Sequence, residues 1–213
     1  MPSDLKKIYR ELKSDLIRIE KVHIRRFLTS PLSTPEKYEL SVKAYCVLCH
    51  AAFEQFAEEV AEAVLTAVVH DYTYNKKVTL ATVNLLHFKA NGSSVLEKKE
   101  YRDAPLVIFD YLRPSLETAK TTLSNFINSE AGNNGIGIKN LNRLFVPLGV
   151  ELPRDVSLLS SLKLLARERG HYAHKRKDGG VIRHSLSPED AQKAVQDCIK
   201  FFGQIKDDAL KFL

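Results

Sequence analysis

The chain has 213 residues and a net charge of +6, with 44% hydrophobic and 27% charged residues. This composition is typical of one folded domain over residues 1–213 and excludes a disordered or fibrous chain. The longest apolar stretch, around 63–69, is far shorter than the ~18 residues that a membrane span needs, and the N-terminal residues lack the hydrophobic core of a signal peptide. We therefore expect a cytoplasmic protein without a membrane segment.

The first third of the chain predicts two long helices. Apolar residues recur at three- and four-residue spacing over 5–27, which indicates an amphipathic helix of about 25 residues. Thr34 followed by Pro35 is typical of a helix start. The apolar series over 42–68 then predicts a second helix of about seven turns.

The periodicity is blurred between residues 71 and 104. Residues 78–83 could begin a strand or a short helix, and residues 91–94 have the composition of a turn. We predict that 71–104 is an irregular embellishment between helices two and three. The apolar run over 106–112 is too short for periodicity to assign.

The helical pattern resumes after Pro114 and continues to about residue 127. Residues 131–137 are rich in glycine and asparagine, which predicts a flexible connection. A short helix is expected over 138–145, ended by Pro147 and Gly149.

The last third predicts two further helices. The apolar face over 158–166 continues into a basic segment and is interrupted by Gly170. Ser187 precedes Pro188 and has an acidic residue three positions later, which is typical of a capped helix start. The whole pattern predicts an all-α bundle of four to five major helices with short connections.

The positive charge is concentrated in the basic motif region, which we define as residues 163–184. This region holds seven Lys or Arg residues against two acidic ones, so it carries +5, and it contains three of the seven histidines. A basic run is often a solvated helix end, but the histidines add groups that titrate near neutral pH. The region is therefore the main candidate for a nucleic-acid site.

The sequence Cys46-Val-Leu-Cys49-His50 matches the spacing of a covalent haem attachment site. We reject that interpretation because Cys49 continues an apolar helical stripe and no export signal is expected. A zinc site would need a second pair of ligands. His50 and Glu54 could share one helical face and bind a metal weakly, but a solvated polar face is the simpler interpretation. No metal and no cofactor are expected.

Arg169 stands where the apolar face of its helix predicts a buried residue. A buried guanidinium requires a partner, which is either an anionic ligand or a core carboxylate such as Glu54. His174 follows five residues later, and an undistorted helix would place the two about 140° apart. Gly170 between them would permit a local distortion.

The segment Arg169-Gly-His-Tyr-Ala-His174 resembles the R-x4-H motif of the HEPN superfamily. Its place late in an all-α chain, before one terminal helix, is similar, and helices one and two resemble the long antiparallel pair of that fold. The resemblance implies a metal-independent endoribonuclease that binds RNA as a homodimer with facing motifs. It also implies a toxin or phage-defence role, with an antitoxin protein as a candidate partner.

The resemblance assigns Arg169 and His174 as catalytic residues. Arg offers a fixed cation for phosphate, and His can act as base or acid in cleavage by the ribose 2′-OH. The auxiliary residues would be His171, Tyr172, Arg167 and Glu54. The residues expected to bind the RNA backbone are Lys175, Arg176 and Lys177.

Two questions stay open at the level of sequence. The residue after the motif Arg is usually polar in the family and is Gly170 here, and Arg167 competes with Arg169 for the phosphate. The alternatives to a nuclease are a non-catalytic HEPN module that binds nucleic acid, nucleotide or a partner protein, and a helical scaffold whose basic end contacts an acidic partner.

Overall fold

The computed structural model describes residues 2–29, 34–91, 109–128, 135–174 and 186–213. Within these ranges the secondary structure is helical and no strand is present. The helices are α1 (Pro2–His23), α2 (Arg25–Leu28), α3 (Pro35–Asn75), α4 (Leu80–Asn91), α5 (Phe109–Asn128), α6 (Ile138–Phe145), α7 (Val156–His174) and α8 (Pro188–Ala209). Short 3-10 turns follow α6 at Val146–Leu148 and α8 at Leu210–Phe212. The prediction of an all-α bundle is confirmed.

Helix α3 is the centre of the bundle and contacts α1, α5, α7 and α8. Aromatic rings connect it to α8: Phe53 stacks on Phe202 with ring centroids 4.9 Å apart, and Phe56 meets the same ring edge-on at 5.8 Å. All three rings are buried. Burial of rings this large makes a dominant contribution to the stability of a small domain. Among the helices of the described ranges, none combines the length and apolar character that crossing a membrane requires.

The first predicted helix differs from the structure because it is divided at Ile24. Helix α1 ends at His23, and Ile24 has a φ of −120°, outside helical geometry, before α2 begins. Ile24 is fully buried and Phe27 nearly so. The apolar spacing continues across the break because both segments face the same core, so periodicity alone does not reveal it.

The segment predicted as an irregular embellishment over 71–104 is mostly helical where the structure describes it, with a non-helical break at 76–79. Residues 71–75 complete α3, and residues 80–91 form α4, which packs against α5. Thr79 and Thr82 cap the start of α4 reciprocally, since each backbone N–H donates to the other hydroxyl at 3.2 Å. Apolar residues are spread around α4, which hides its period. Residues 92–104 lie outside the described ranges.

Helix α5 begins at Phe109, five residues before Pro114, so it includes part of the unassigned apolar run. Helix α6 covers the predicted residues and ends before Gly149, whose φ of 72° is in the left-handed region. Helix α7 continues through Gly170 to His174, so the predicted interruption does not occur. Ser187 caps α8 as predicted, since its hydroxyl accepts a hydrogen bond from the Asp190 N–H at 3.0 Å.

Candidate functional site

Arg169 lies on α7, which packs against α3. It is partly buried, and its positive charge lowers the pKa of two α3 groups, His50 and Glu54. Those two residues are one helical turn apart. The motif arginine therefore acts electrostatically on the carboxylate that the sequence suggested as a possible partner.

The Glu54 carboxylate experiences opposing influences. Burial raises its pKa most strongly and the neighbouring Glu58 adds to this, while Arg169 and a hydrogen bond from the backbone N–H of Gly135 act in the opposite direction. One carboxylate oxygen lies 3.7 Å from Nδ1 of His50. Glu54 is thus influenced by the Arg169 charge on α7, lies close to His50 on its own helix, and accepts a hydrogen bond from the chain segment before α6.

His50 is 2% exposed, so the expectation that it belongs to a solvated polar face is wrong. Its Nε2 accepts a hydrogen bond from the Ile136 N–H at 3.4 Å. Burial, with a smaller contribution from the Arg169 charge, lowers the pKa of His50 to about 4. The ring is therefore neutral at pH 7, and because Nε2 accepts, Nδ1 carries the hydrogen and faces Glu54.

Gly135 fits closely against the His50 ring. Its φ is +123°, and a Cβ atom built there would lie 3.0 Å from Cε1 and 3.1 Å from Nε2 of His50. The Gly135 carbonyl accepts a hydrogen bond from the Asn140 side chain at 3.2 Å. The predicted flexible connection is therefore packed from Gly135 onwards, while residues 131–134 lie outside the described ranges.

Arg167 takes a different position from Arg169. Its side chain is 59% exposed and pairs with the neighbouring, buried Glu168 carboxylate at 3.2 Å. Glu168 also influences Cys46 in the core, where it adds to the burial that raises the pKa of that thiol to about 12. Of the two arginines that the sequence left open, Arg169 is the one whose charge acts on Glu54 and His50.

A family model described as RiboL-PSP-HEPN matches residues 3–211. The chain belongs to this HEPN family. Comparison with curated proteins and with solved structures gives no match. Membership confirms the resemblance that the R-x4-H motif indicated and places the chain among HEPN-type nucleases and nucleic-acid-related modules. HEPN domains bind RNA and often dimerise.

The HEPN motif lies on the last turns of α7, with Arg169 and His174 on one continuous helix. Five residues of helix correspond to about 140° of rotation and about 7.5 Å of rise. The side chains of residues 171–174, and with them His171, Tyr172 and His174, lie outside the described part. The same holds for Lys175, Arg176, Lys177 and the rest of the basic motif region to residue 184.

The Cys-x-x-Cys-His sequence of this HEPN chain lies on α3 with both thiols buried in the core. Burial raises the pKa of Cys49 and Cys198 as well as that of Cys46. Over the residues that the structure describes, no group of three or more His, Cys, Asp or Glu side chains is arranged to hold a metal ion.

The free energy of unfolding should depend on pH through His50. The folded state disfavours the charged ring, so the unfolded chain binds more protons between its usual pKa of 6.5 and about 4. This contribution to stability is present in full above pH 6.5 and is lost as the pH falls towards 4. Urea unfolding at pH 7 and pH 5 measures the loss, which should be smaller in His50→Gln. The exposed His70→Gln is the control, and equal losses in all three proteins would contradict the assignment.

Proposed function

We propose that this protein is a metal-independent HEPN endoribonuclease. The observation that carries the proposal is that Arg169 on α7 acts electrostatically on Glu54 and His50 of α3 and stands five residues before His174 on the same helix. This site offers a half-buried cation, and the same helix carries a residue that can transfer protons. These are the two kinds of group that RNA cleavage without a metal requires.

In the proposed reaction the ribose 2′-OH loses its proton to a base as its oxygen attacks the adjacent phosphorus. The new bond joins the 2′-oxygen to phosphorus, and the bond to the 5′-oxygen breaks. A protonated imidazole supplies the hydrogen that the 5′-oxygen takes as it leaves. Arg169 stabilises the negative charge of the phosphorane, and His174 acts in proton transfer. The products are a 2′,3′-cyclic phosphate and a 5′-OH end.

The helical register supports a site shared by two copies of the chain. One α7 helix directs positions 169 and 174 to sides about 140° apart, and one motif supplies one motif histidine for two proton transfers. A homodimer supplies two. Exposed apolar side chains on α3 offer surface for packing: Leu40 is 80% exposed, and Val47 and Leu48 are also exposed. Leu40 and Val47 are seven residues apart and share one helical face.

The direct test is incubation of the protein with bulk RNA in EDTA, followed by analysis of the product ends. We expect cleavage with cyclic phosphate and 5′-OH ends. RNA binding without cleavage would instead support a non-catalytic HEPN module. The observation that favours this alternative is Gly170, which provides no polar side chain after the motif arginine although a Cβ atom there would meet no atom within 4 Å.

Arg169→Lys should be nearly as damaging as Arg169→Ala. A lysine keeps the charge but cannot make the bidentate contact of a guanidinium with phosphate. Single-turnover rates of cleavage measure the effect, with Arg167→Lys as the matched control because Arg167 is exposed and pairs with Glu168. Full activity of Arg169→Lys, together with loss of activity in Arg167→Lys, would indicate that Arg167 makes the phosphate contact.

RNA binding should weaken steeply with salt, because the basic motif region carries +5. If about four phosphates are contacted, log K should fall with log salt at a slope of about −3 for a single strand. Replacing Lys175, Arg176 and Lys177 together should flatten this slope and reduce affinity more than maximal turnover. Fluorescence anisotropy across a salt series measures both, and a flat response of the unchanged protein would contradict the assignment.

The proposed biological role is that of a toxin or phage-defence effector held in check by an antitoxin protein. The support for this role is the family resemblance of the motif and fold. Induced expression should arrest growth with the unchanged chain and not with His174→Ala at equal protein level. Normal growth in both cases would contradict a toxin role and leave the nuclease assay unaffected.

A further inference from the structure

A second basic surface lies at the junction of α1 and α2, outside the basic motif region. Lys21, Arg25 and Arg26 are exposed there, while Ile24 among them is fully buried. Residues 21–35 contain these three cations and no acidic residue, so the stretch carries +3. Within the described residues, no carboxylate forms an ion pair with any of the three. We call these three residues the basic corner.

Packed neighbours hold the basic corner in place. The Ile24 N–H donates to the Glu20 carbonyl at 3.0 Å and the Phe27 N–H donates to the Ile24 carbonyl at 2.9 Å, so backbone hydrogen bonds continue across the break. The Arg26 guanidinium lies over the Phe27 ring, 4.6 Å from its centroid, and that ring meets Tyr38 of α3 edge-on at 6.2 Å. A side chain restricted in this way loses less conformational entropy when it binds a ligand.

Helices α3 and α8 begin at the same end of the bundle. Phe53 of α3 stacks on Phe202 of α8. Phe212, which follows α8, lies beside Gly149 together with Ala81 of the helix that follows α3: a Cβ atom built at Gly149 would be 3.5 Å from the Phe212 ring and 3.7 Å from the Ala81 Cα. The ends of α3 and α8 are therefore neighbours, and the two helices run in the same direction. Helix α2 packs on the start of α3 and contacts α8, so it lies at the end where both begin.

Helix α7 runs in the opposite direction and finishes at this same end of the bundle. The Glu151 N–H, before α7, donates to the Asp208 carboxylate near the end of α8 at 2.7 Å. Further along α7, the Ser161 hydroxyl donates to the Asp197 carboxylate at 3.0 Å. The contacts move towards the start of α8 as α7 proceeds. The HEPN motif on the last turns of α7 and the basic corner therefore share one end of the bundle, and α8 contacts the helices that carry them.

We propose that the basic corner is a second contact surface for the RNA backbone, which rests on the proposed nuclease function. Packed helices lie about 8–10 Å apart, so an RNA strand held at α7 reaches α2 after crossing roughly two such distances. The exposed arginines suit this ligand because a planar guanidinium can donate two parallel hydrogen bonds to one phosphate. An acidic protein or an anionic membrane would also be attracted by +3, but the position at the motif end of the bundle favours RNA. The basic corner holds the strand and does not contact the phosphate that reacts.

The experiment measures binding of 2′-O-methyl RNA, whose 2′-oxygen is blocked and cannot attack, so binding is separated from cleavage. Combining Lys21→Gln with Arg25→Gln should make the salt slope of log K less steep by about 1.4, which corresponds to two lost phosphate contacts on a single strand, and lower the affinity about 10-fold near physiological salt. Arg25→Gln alone should give about half of this change in slope. Arg26 is kept because its ring contact supports the fold. The matched control combines Lys6→Gln with Arg10→Gln, which removes the same charge at the same spacing from exposed positions near the start of α1 and should leave the slope unchanged.

Each outcome has a distinct meaning. An unchanged slope in the Lys21 and Arg25 double variant, or an equal change in the control, overturns the proposal. Thermal melting shows whether the variants are folded, and Arg25→Gln alone provides the measurement if the double variant is not. Vesicles that contain anionic lipid test the other source of phosphate: loss of vesicle binding in the double variant, with unchanged RNA binding, overturns the assignment to RNA. A protein that binds 2′-O-methyl RNA but does not cleave ordinary RNA overturns the proposed function alone, whereas absence of any RNA binding overturns both.

Discussion

His174→Ala is expected to reduce RNA cleavage by about 10² to 10⁴ in rate, which is the usual contribution of one proton-transfer group. Both the 2′-OH and the 5′-oxygen require proton transfer in the proposed reaction, and Arg169 cannot provide it because a guanidinium stays protonated. The loss should appear in kcat and leave RNA affinity almost unchanged. His174 is the last residue of α7, and the folding of the variant is checked directly.

The test is single-turnover cleavage of a labelled RNA in EDTA, with folding checked by circular dichroism and thermal melting. His171→Ala tests the other histidine of this segment, and His70→Ala is a control because His70 is exposed on α3 outside the site. A folded His174→Ala protein with unchanged kcat would contradict the catalytic assignment. Loss of cleavage in His171→Ala alone would indicate that His171, and not His174, transfers the proton.

Local signals account for the parts of the fold that the sequence predicted. Pro35 starts α3, and Ser187 caps α8 through a hydrogen bond to a backbone N–H three residues away. Gly149 ends the turn after α6 in a left-handed conformation. Each of these signals depends on residues within one turn of helix. The local sequence is therefore enough to predict where these helices begin or end.

The features that were missed depend on tertiary contacts. Ile24 is buried at the break between α1 and α2, although the apolar spacing around it predicts one continuous helix. Helix α4 has apolar residues around its circumference because it packs between α5 and the turn after α6. In both cases the core overrides or hides the local periodicity.

In the candidate site, too, some features were predicted from local sequence and others depend on tertiary contacts. The position of Arg169 on the apolar face of its helix indicated a buried charge that needs either an anionic ligand or a carboxylate such as Glu54. The burial of His50 was not predicted because its contact with Ile136 spans 86 positions of sequence. The close fit of Gly135 on that ring is equally non-local, and a glycine-rich segment by itself indicates only a turn.

Mixing His174→Ala with Arg169→Ala protein should restore cleavage that neither variant has alone. In a two-fold dimer with shared sites, the first variant still supplies Arg169 and the second still supplies His174. Random exchange of protomers makes half of the dimers mixed, and each mixed dimer brings one Arg169 and one His174 to the shared site. We therefore expect activity above that of either variant alone and below half of that of the unchanged protein.

The same geometry links assembly to ligand binding. Two basic motif regions, each +5, approach one another in such a dimer, so their repulsion opposes association. A bound polyanion reduces this repulsion, and by linkage an RNA that resists cleavage should lower the dimer dissociation constant. Sedimentation with and without a 2′-deoxy oligonucleotide measures the shift. A fully active monomer, or mixed variants that stay inactive after proven exchange of protomers, would contradict the shared site, because either result would mean that each copy completes its own.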